Sequence, residues 1–162
     1  MTAGASKPNL LTSTFHVNTV DLKRLHPLDP ALAAMHFAFR GLIREADQYL
    51  EKIDLTRVHH RILFAIRRRD ELSVTGLCEL LGVSKQALHR PMKVLLERKL
   101  VVLERHPLRP KFKMLALTSK GIDIETAASD RERAAMKSAL ERVSAKERLA
   151  WFEVMSDLAS RA

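Results

Sequence analysis

The segment from Thr75 to Lys99 constrains the fold of this chain most. It contains two short amphipathic stretches, TGLCELLG and SKQALHRPMKVLLERK, that meet at Gly82-Val83-Ser84. Gly82 suits the position just after a helix, where φ is often positive, and Ser84 is a good N-cap for the next helix. Val83 is the apolar residue that can fill the corner between them. The pattern predicts a helix-turn-helix and favours a DNA-binding protein.

Helical spacing from Ser84 gives the second stretch two different faces. Its apolar residues fall on one side: Leu88, Pro91, Met92 and Leu95. Its polar residues fall roughly opposite: Gln86, His89, Arg90, Lys93 and Glu97. One face can pack while the other points outward. An ordinary antiparallel helix pair with a solvated charged face has the same pattern, so the rest of the chain has to decide between the two.

Basic charge is concentrated around this segment. The formal net charge of the 162 residues is +9. Between Thr56 and Lys113 there are 14 Lys and Arg against 5 Asp and Glu, whereas the rest of the chain has 14 of each. The whole excess therefore lies on the part that contains the helix-turn-helix, and it favours an anionic partner.

The single cysteine and the hydropathy pattern indicate the compartment. Cys78 cannot form an intramolecular disulfide, and its place in LCELLG predicts a small buried hydrophobic residue rather than a redox sensor. The sequence has no signal peptide pattern, and no apolar run approaches the roughly 20 residues that span a bilayer. We expect a soluble cytoplasmic protein with no membrane partner.

Helical patterns precede the helix-turn-helix. Asp29-Pro30 predicts the start of a first helix, with Asp29 as its cap, that runs to about Lys52. Thr56 is expected to cap a second helix, which the three arginines at 67–69 close. Leu72-Ser73-Val74 predicts a short strand. The first 20 or so residues show no helical stripe and are expected to form an extended or mobile arm.

The period of the sequence changes at Leu100. LVVLERH and KFKMLALT predict two strands, joined by a loop at 106–110. In the second strand Phe112, Met114 and Ala116 alternate with Lys111, Lys113 and Leu115. A β-ribbon beside a helix-turn-helix is a winged helix.

Two further helices are predicted at the C-terminal end, capped by Thr118 and by the capping box Ser144 to Glu147. Their apolar stripes and that of the first helix exceed what a core of about 60 to 70 residues can cover, so we expect them to pack across a homodimer. The alternative is that they fold back on their own core. These expectations divide the chain into an arm (1–28), a helical dimerisation region (29–55 and 118–162) and a DNA-binding lobe (56–117).

The order of these elements resembles the multiple-antibiotic-resistance regulator (MarR) family over roughly residues 30 to 160. Leu77 to Ser84 is similar to the family's first motif helix and turn, and Arg90 falls on its recognition-helix arginine. Leu95 to Val101 resembles its exit into the wing, and Leu117 to Gly121 its junction between wing and helix. The resemblance implies a mainly α (α+β) winged helix-turn-helix with dimerisation helices at both ends.

The chain departs from the family pattern at three places. Lys99 stands where glycine is usual, so a lysine is expected in the left-handed conformation at a cost of about 1 kcal/mol, unless the helix ends differently. Pro91 lies inside the recognition helix and is expected to kink it. The wing has no aspartate before its arginine. Lys111 aligns best with that arginine by counting back from Thr118, but Arg109 is close enough to take its place.

Eleven residues are candidates for DNA contact: Thr75, Ser84, Lys85, Gln86, His89, Arg90, Lys93, Arg105, Arg109, Lys111 and Lys113. Gln suits adenine and Arg suits guanine, so Gln86 and Arg90 are the expected base readers. The two lysines of the recognition helix are expected at phosphates. Thr75 and Ser84 either contact the DNA backbone or only cap helices, and His89 either contacts a base or is solvated. The wing cations are expected in the minor groove or along phosphates.

The family resemblance also implies a small anionic or aromatic effector, bound between the first helices and the DNA-binding lobe. Its candidate residues are His36, Arg40, His59 and His60, each of which is alternatively a plain surface or interface residue. The sequence contains no nucleophile motif, phosphate-binding glycine loop or metal-ligand spacing, so we expect no enzyme, cofactor or metal.

Together these features predict a homodimeric winged-helix transcription regulator, a repressor whose DNA binding an effector modulates. The alternatives are a winged-helix module for protein interaction and a non-specific architectural DNA-binding protein. The exposed polar face of the recognition helix disfavours the first alternative, because protein-binding faces more often present aromatic and aliphatic side chains.

Overall fold

The computed structural model describes residues 26–161, so nearly all of the expected N-terminal arm lies outside the described residues. The elements in chain order are α1 Asp29–Glu51, α2 Arg57–Arg67, α3 Val74–Leu81, α4 Lys85–Glu97, β1 Val101–His106, β2 Arg109–Leu117, α5 Ser119–Leu140 and α6 Ala145–Ala159. β1 and β2 form an antiparallel two-stranded sheet. The fold is therefore mainly helical with a β wing. The described residues divide into two units, with the boundary between Arg40 and Gly41.

The helix starts follow their capping residues. The Ser84 hydroxyl accepts a hydrogen bond from the backbone N–H of Ala87 at 3.1 Å, and the Thr118 hydroxyl accepts one from Gly121 at 3.1 Å. At α6 the capping box predicted for Ser144 and Glu147 is present. Because each bond satisfies a backbone donor that the helix itself leaves open, these local signals locate the starts of α4, α5 and α6.

The recognition helix α4 ends in a left-handed turn at Lys99, whose φ is 55°. The N–H of Lys99 donates to the carbonyl of Leu96 at 3.0 Å, and that of Leu100 donates to Leu95 at 2.9 Å. This pair of bonds usually ends on glycine. The expectation for Lys99 is confirmed, and α4 runs as one helix through Pro91.

The core lies between the end of α1, α2, α3, α4, the wing and the first half of α5. Its fully buried large side chains include Leu50, Ile62, Leu63, Leu77, Leu95, Leu100 and Val101. Cys78 is 7% exposed and packs in the same cluster, as expected for a small hydrophobic residue. The apolar faces of the helix-turn-helix therefore cover the core, and its polar faces are left outside.

The expected strand at Leu72-Ser73-Val74 is wrong. Ser73 caps α3, since its hydroxyl accepts from the N–H of Gly76 at 3.1 Å, and Val74 is already the first helical residue. The Leu72 carbonyl accepts a single sheet-like bond, from the N–H of Leu115. The N-cap of α3 is therefore Ser73 and not Thr75, which is the second residue of the helix.

The hairpin differs from the expectation in two ways. The connection is only Pro107-Leu108, because Arg109 already belongs to β2. In β2, Leu115 is 5% exposed and belongs to the core, although the alternation placed it with the lysines. Its partner in the register is Leu103, and an irregularity between Arg105 and His106 shifts the strand pairing near the tip. The shift lies beyond the regular pair of Arg105 with Lys113, so it does not affect Leu115. Leu115 is buried where its N–H meets the Leu72 carbonyl, whereas Lys113, on the same face nearer the tip, is exposed.

The start of α1 also differs. The Asp29 carboxylate accepts a hydrogen bond from the backbone N–H of His26 at 2.9 Å. It therefore closes the turn that precedes the helix, and it does not act as the N-cap of the residues that follow.

Helix α6 has no buried residue. It exposes several large apolar side chains: Leu149, Trp151, Phe152, Val154 and Leu158. No helix within residues 26–161 combines the length and the apolar character that crossing a bilayer requires. The stripe of α6 thus lies on the surface of the single chain.

Candidate nucleic-acid interface

All eleven predicted DNA-contact residues are exposed. The structure places Lys85, Gln86, His89, Arg90 and Lys93 on the outer side of α4, opposite the buried Leu88, Met92 and Leu95. An α-helix fits the major groove of DNA, where amide and guanidinium groups reach base edges. The face can therefore offer hydrogen-bond donors to a duplex without disturbing the core.

Of the predicted contact residues at α4, Ser84 and Lys93 already have partners. The Ser84 hydroxyl caps α4, and the Lys93 ammonium lies 3.7 Å from the Glu97 carboxylate one turn away. Both side chains of that ion pair are more than 60% exposed. Such a pair contributes little to stability, so Lys93 can exchange this carboxylate for a phosphate at small cost.

The wing tip is held by a cluster of polar contacts that we call the wing clamp: Glu71, His106 and Arg109. Nε2 of His106 lies 2.8 Å from Oε1 of Glu71, and a terminal nitrogen of Arg109 lies 2.5 Å from Oε2 of the same carboxylate. Nδ1 of His106 accepts the backbone N–H groups of Leu108 and Arg109, both at 3.1 Å. The clamp thus fixes both the hairpin turn and the arginine beside it.

The Glu71 carboxylate is charged at neutral pH. The hydrogen bond from His106 is the main reason why the pKa of Glu71 lies below its usual range, and Arg109 lowers that pKa further. Neither Glu71 nor His106 was predicted from the sequence to be a functional residue. They are 35 residues apart in the chain, and no local spacing relates them.

A second polar network joins α2 to α5. The buried Glu125 carboxylate accepts from Arg68 at 2.7 Å and from the Ser129 hydroxyl at 2.7 Å. The buried His60 ring lies 3.2 Å from the same hydroxyl. Nearby, Arg57 pairs with Asp47 and Glu132. Sequence patterns predicted an apolar stripe on α5 and did not identify this network.

The network shifts the pKa values of two of its members, His60 and Glu125. Burial lowers the pKa of His60, and Glu132 beside it opposes this effect only in part. Burial raises the pKa of Glu125, but the hydrogen bonds from Ser129 and Arg68 outweigh burial and keep the pKa below its usual value. At neutral pH, His60 is therefore a neutral ring next to a charged carboxylate.

The predicted effector residues lie in different surroundings. His36 and Arg40 are exposed on α1, where the His36 ring packs edge-on to Phe37 at 5.3 Å. His59 is half-buried, and its Nδ1 accepts from the backbone N–H of Thr56 at the start of α2. His60 points into the network between α2 and α5. The last two side chains therefore already make structural hydrogen bonds.

A cleft of about 580 Å³ lies beside that network. It is lined by Leu42, Phe64, Ser129, Glu132, Arg133, Met136, Lys137, Leu140, Glu141 and Arg148. Its walls are mainly apolar, with three cations among the lining residues. None of the four predicted effector residues lines it.

Comparison with known proteins identifies the family. The HTH-type transcriptional regulator PetP of Rhodobacter capsulatus is 35% identical to this chain over 138 residues, which are 83% of the chain and 82% of PetP. The sequence model of the MarR family matches residues 53–108, from the end of α1 to the wing tip. The chain belongs to the MarR family. This family consists of transcriptional regulators, not of enzymes.

Solved MarR-family structures share the fold. Staphylococcus aureus MepR, in a complex with DNA, matches with a TM-score of 0.65 and 17% identity over 81% of this chain and 97% of that one. Staphylococcus aureus MarR, in complex with salicylate and kanamycin, matches with a TM-score of 0.67 and 17% identity over 80% and 87%. The winged helix-turn-helix predicted for this MarR-family regulator is confirmed.

Proposed function

We propose that this regulator is a homodimeric repressor that reads a pseudo-palindromic DNA site, with one recognition helix per half-site. The observation that carries the proposal is the outer face of α4, where Gln86, His89, Arg90 and Lys93 are all exposed beside a basic wing. Gln86 and Arg90 read bases, while Lys85 and Lys93 bind phosphates. Half-sites lie about one helical turn apart, so both helices meet one face of the duplex.

The wing contributes the second contact in this proposal. Arg105, Arg109, Lys111 and Lys113 are exposed on the hairpin next to α4. A narrow minor groove has an enhanced negative potential that attracts such side chains. Thr75 and Ser84 lie at the exposed starts of α3 and α4, where backbone N–H groups favour phosphate.

A homodimer explains the exposed apolar side chains of α6. An isolated chain rarely leaves so many large apolar side chains of one helix in water, and the rings of Trp151 and Phe152 lie edge to face with their centroids 4.9 Å apart. In a two-fold dimer the same patch meets its own copy. We therefore assign residues 29–55 and 118–162 to dimerisation and residues 56–117 to DNA binding.

The cleft beside α5 supports regulation by a small molecule. Its walls are mainly apolar, and its three cations, Arg133, Lys137 and Arg148, outnumber its two carboxylates, Glu132 and Glu141. This lining suits an aromatic anion, and a salicylate complex is known for Staphylococcus aureus MarR. Such a ligand would contact α2 of the DNA-binding lobe through Phe64 and α5 through Met136 and Leu140. Occupancy would then shift the lobe relative to the dimer and weaken DNA binding.

An Arg90→Ala variant tests sequence reading. We expect a loss of about 1 to 3 kcal/mol in binding free energy at one base position of the selected DNA site, because the arginine contacts a single base pair. Arg61→Ala is the matched control, since it removes an exposed arginine of α2 outside the predicted interface. A uniform loss over all DNA sequences would contradict base reading and support non-specific binding.

A further inference from the structure

We propose that Glu71 and His106 are positioning residues that hold Arg109 of the wing in place for the DNA backbone or minor groove. The inference rests on the proposed function, since it assumes that the wing meets DNA. It goes beyond it by selecting Arg109 from the wing cations and by adding two residues that need not touch DNA.

The hydrogen bonds around His106 define its tautomer. Nδ1 accepts two backbone N–H groups, those of Leu108 and Arg109, so this nitrogen carries no proton. The proton of the neutral ring is then on Nε2, which lies 2.8 Å from the Glu71 carboxylate and donates to it. The His106 side chain is 7% exposed, so water competes little for these bonds. One ring thus ties the hairpin turn to the segment between α2 and α3.

Arg109 is oriented but remains accessible. One terminal nitrogen donates to Glu71, and the guanidinium carbon lies 4.8 Å from the centre of the Phe112 ring. The side chain is still 56% exposed. A guanidinium has five N–H donors, so those that do not face Glu71 can bind a phosphate or a base edge. Holding the arginine in advance lowers the entropy that binding would otherwise cost.

Glu71 supplies a carboxylate that the wing lacks. The wing tip from Pro107 to Lys111 contains no acidic residue. Glu71 comes from the segment between α2 and α3 and has a φ of 52°, a conformation that side-chain-bearing residues rarely keep without a compensating contact. The two bonds to the wing are such a contact.

The opposite role for Glu71 makes a different prediction. If the carboxylate merely neutralised Arg109, its removal would strengthen binding to every DNA, since a negative charge near phosphates is lost. If it positions Arg109, its removal weakens binding to the selected site more than to scrambled DNA. The sign of the change in specificity therefore separates the two roles.

The experiment measures the affinity of full-length protein for a duplex selected from a random pool by the wild type, and for a scrambled duplex of equal length. Glu71→Gln should lower the ratio of the two affinities about fivefold, as expected for coupled neighbours. Glu104→Gln is the matched control, because it removes an equal charge from the exposed side of the hairpin that carries Arg109. It should leave the ratio unchanged.

Two further variants test the route through Arg109. In His106→Asn the amide oxygen can replace Nδ1 as the acceptor of the turn, but the donor to Glu71 is lost, so the ratio should again fall. In an Arg109→Ala background, Glu71→Gln should have no further effect. Arg109→Lys keeps the positive charge but lacks the planar guanidinium, so it should also lower the ratio of the two affinities. Because it leaves Glu71 and His106 in place, it tests the role of Arg109 even if a clamp variant folds poorly.

The outcomes separate this inference from the proposed function. If the wild type selects no sequence at all, the proposed function fails. Suppose instead that the wild type selects a sequence. The positioning role is then wrong if Glu71→Gln leaves the ratio unchanged, if it strengthens binding to both duplexes equally, or if it lowers the ratio just as much in the Arg109→Ala background. In each of these cases the proposed function stands.

Discussion

The DNA-binding lobe and helix α6 both carry large apolar side chains, yet they place them differently. In the lobe, Leu77, Leu88 and Leu95 are at most 3% exposed, whereas Leu149 and Phe152 of α6 are more than 50% exposed. Large apolar side chains in a helix therefore identify a surface that has to be covered, but not what covers it. The lobe covers its own core, and we assign the apolar surface of α6 to a second copy of the chain.

The largest effect is expected where α5 joins the lobe. A Cβ added at Gly121 would lie 2.0 Å from the backbone carbonyl oxygen of Leu100, too close for any adjustment of a side chain alone. Gly121→Ala should therefore lower the free energy of unfolding by about 4 kcal/mol, at the upper end of overpacking effects. Urea unfolding followed by circular dichroism measures it.

Gly41→Ala is the control for that variant. Among the described residues, and apart from its chain neighbours and the backbone of its own helix, nothing lies within 4 Å of a Cβ at Gly41, which is inside α1. The helix propensity of alanine should therefore raise the free energy of unfolding by about 1 kcal/mol. If the two variants change the free energy of unfolding equally, the close approach of Gly121 to the Leu100 carbonyl does not limit the side chain at this position.

A smaller effect, on association only, is expected in α6. Phe152→Lys replaces an aromatic side chain that is 53% exposed in the single chain, so the lobe should keep its fold. If the partner covers Phe152, the association free energy should fall by about 2 kcal/mol, as for a central interface residue. Sedimentation equilibrium measures the dimer, with Glu79→Gln on α3 as a control that changes the net charge equally outside the assigned dimerisation region. Unchanged association of Phe152→Lys would contradict the assigned interface.

Acidification should destabilise the lobe. Burial holds the pKa of His60 below its usual 6.5, and burial with the nearby Arg98 does the same for His59. Below pH 6.5 the unfolded chain therefore protonates His59 and His60 more readily than the folded chain does. The contribution of the two neutral rings to the free energy of unfolding is complete above pH 6.5 and is lost as the pH falls below it. Thermal unfolding at pH 7.5 and 5.5 tests this. We expect a lower midpoint at pH 5.5, and His60→Gln should flatten the difference. An equal or higher midpoint in the acid would contradict it.

The smallest effect is expected at the end of α4. Lys99 has a φ of 55°, which glycine adopts without the steric cost of a side chain. Lys99→Gly should raise the free energy of unfolding by about 1 kcal/mol in a urea titration. A destabilisation would mean that the lysine side chain makes a contact that outweighs its backbone strain.

Local chemistry made most of the lobe predictable from sequence. Ser84, Gly82 and Thr118 act within three or four residues of themselves, so their hydrogen bonds can be derived from spacing alone. The wrong strand at Leu72-Ser73-Val74 also has a local cause, because the Ser73 hydroxyl satisfies the N–H of Gly76 and begins a helix.

The remaining features depend on contacts between distant residues. Glu71 meets Arg109 across 38 residues, and His60 meets Ser129 across 69. The pairing of His106 with Arg109, which follows an irregularity in the register, leaves a hairpin connection of only two residues. Periodicity can place such residues on a helix or strand but cannot pair them. Sequence analysis therefore located the recognition helix correctly but not the clamp that holds the wing.

Selection of duplexes from a random pool by the full chain shows whether the exposed face of α4 reads sequence. We expect strong enrichment of one inverted repeat whose half-sites are about one helical turn apart, and loss of that enrichment in Gln86→Ala/Arg90→Ala. A pool that stays random while the protein still binds it, or an equal enrichment by the double variant, would contradict sequence reading by α4.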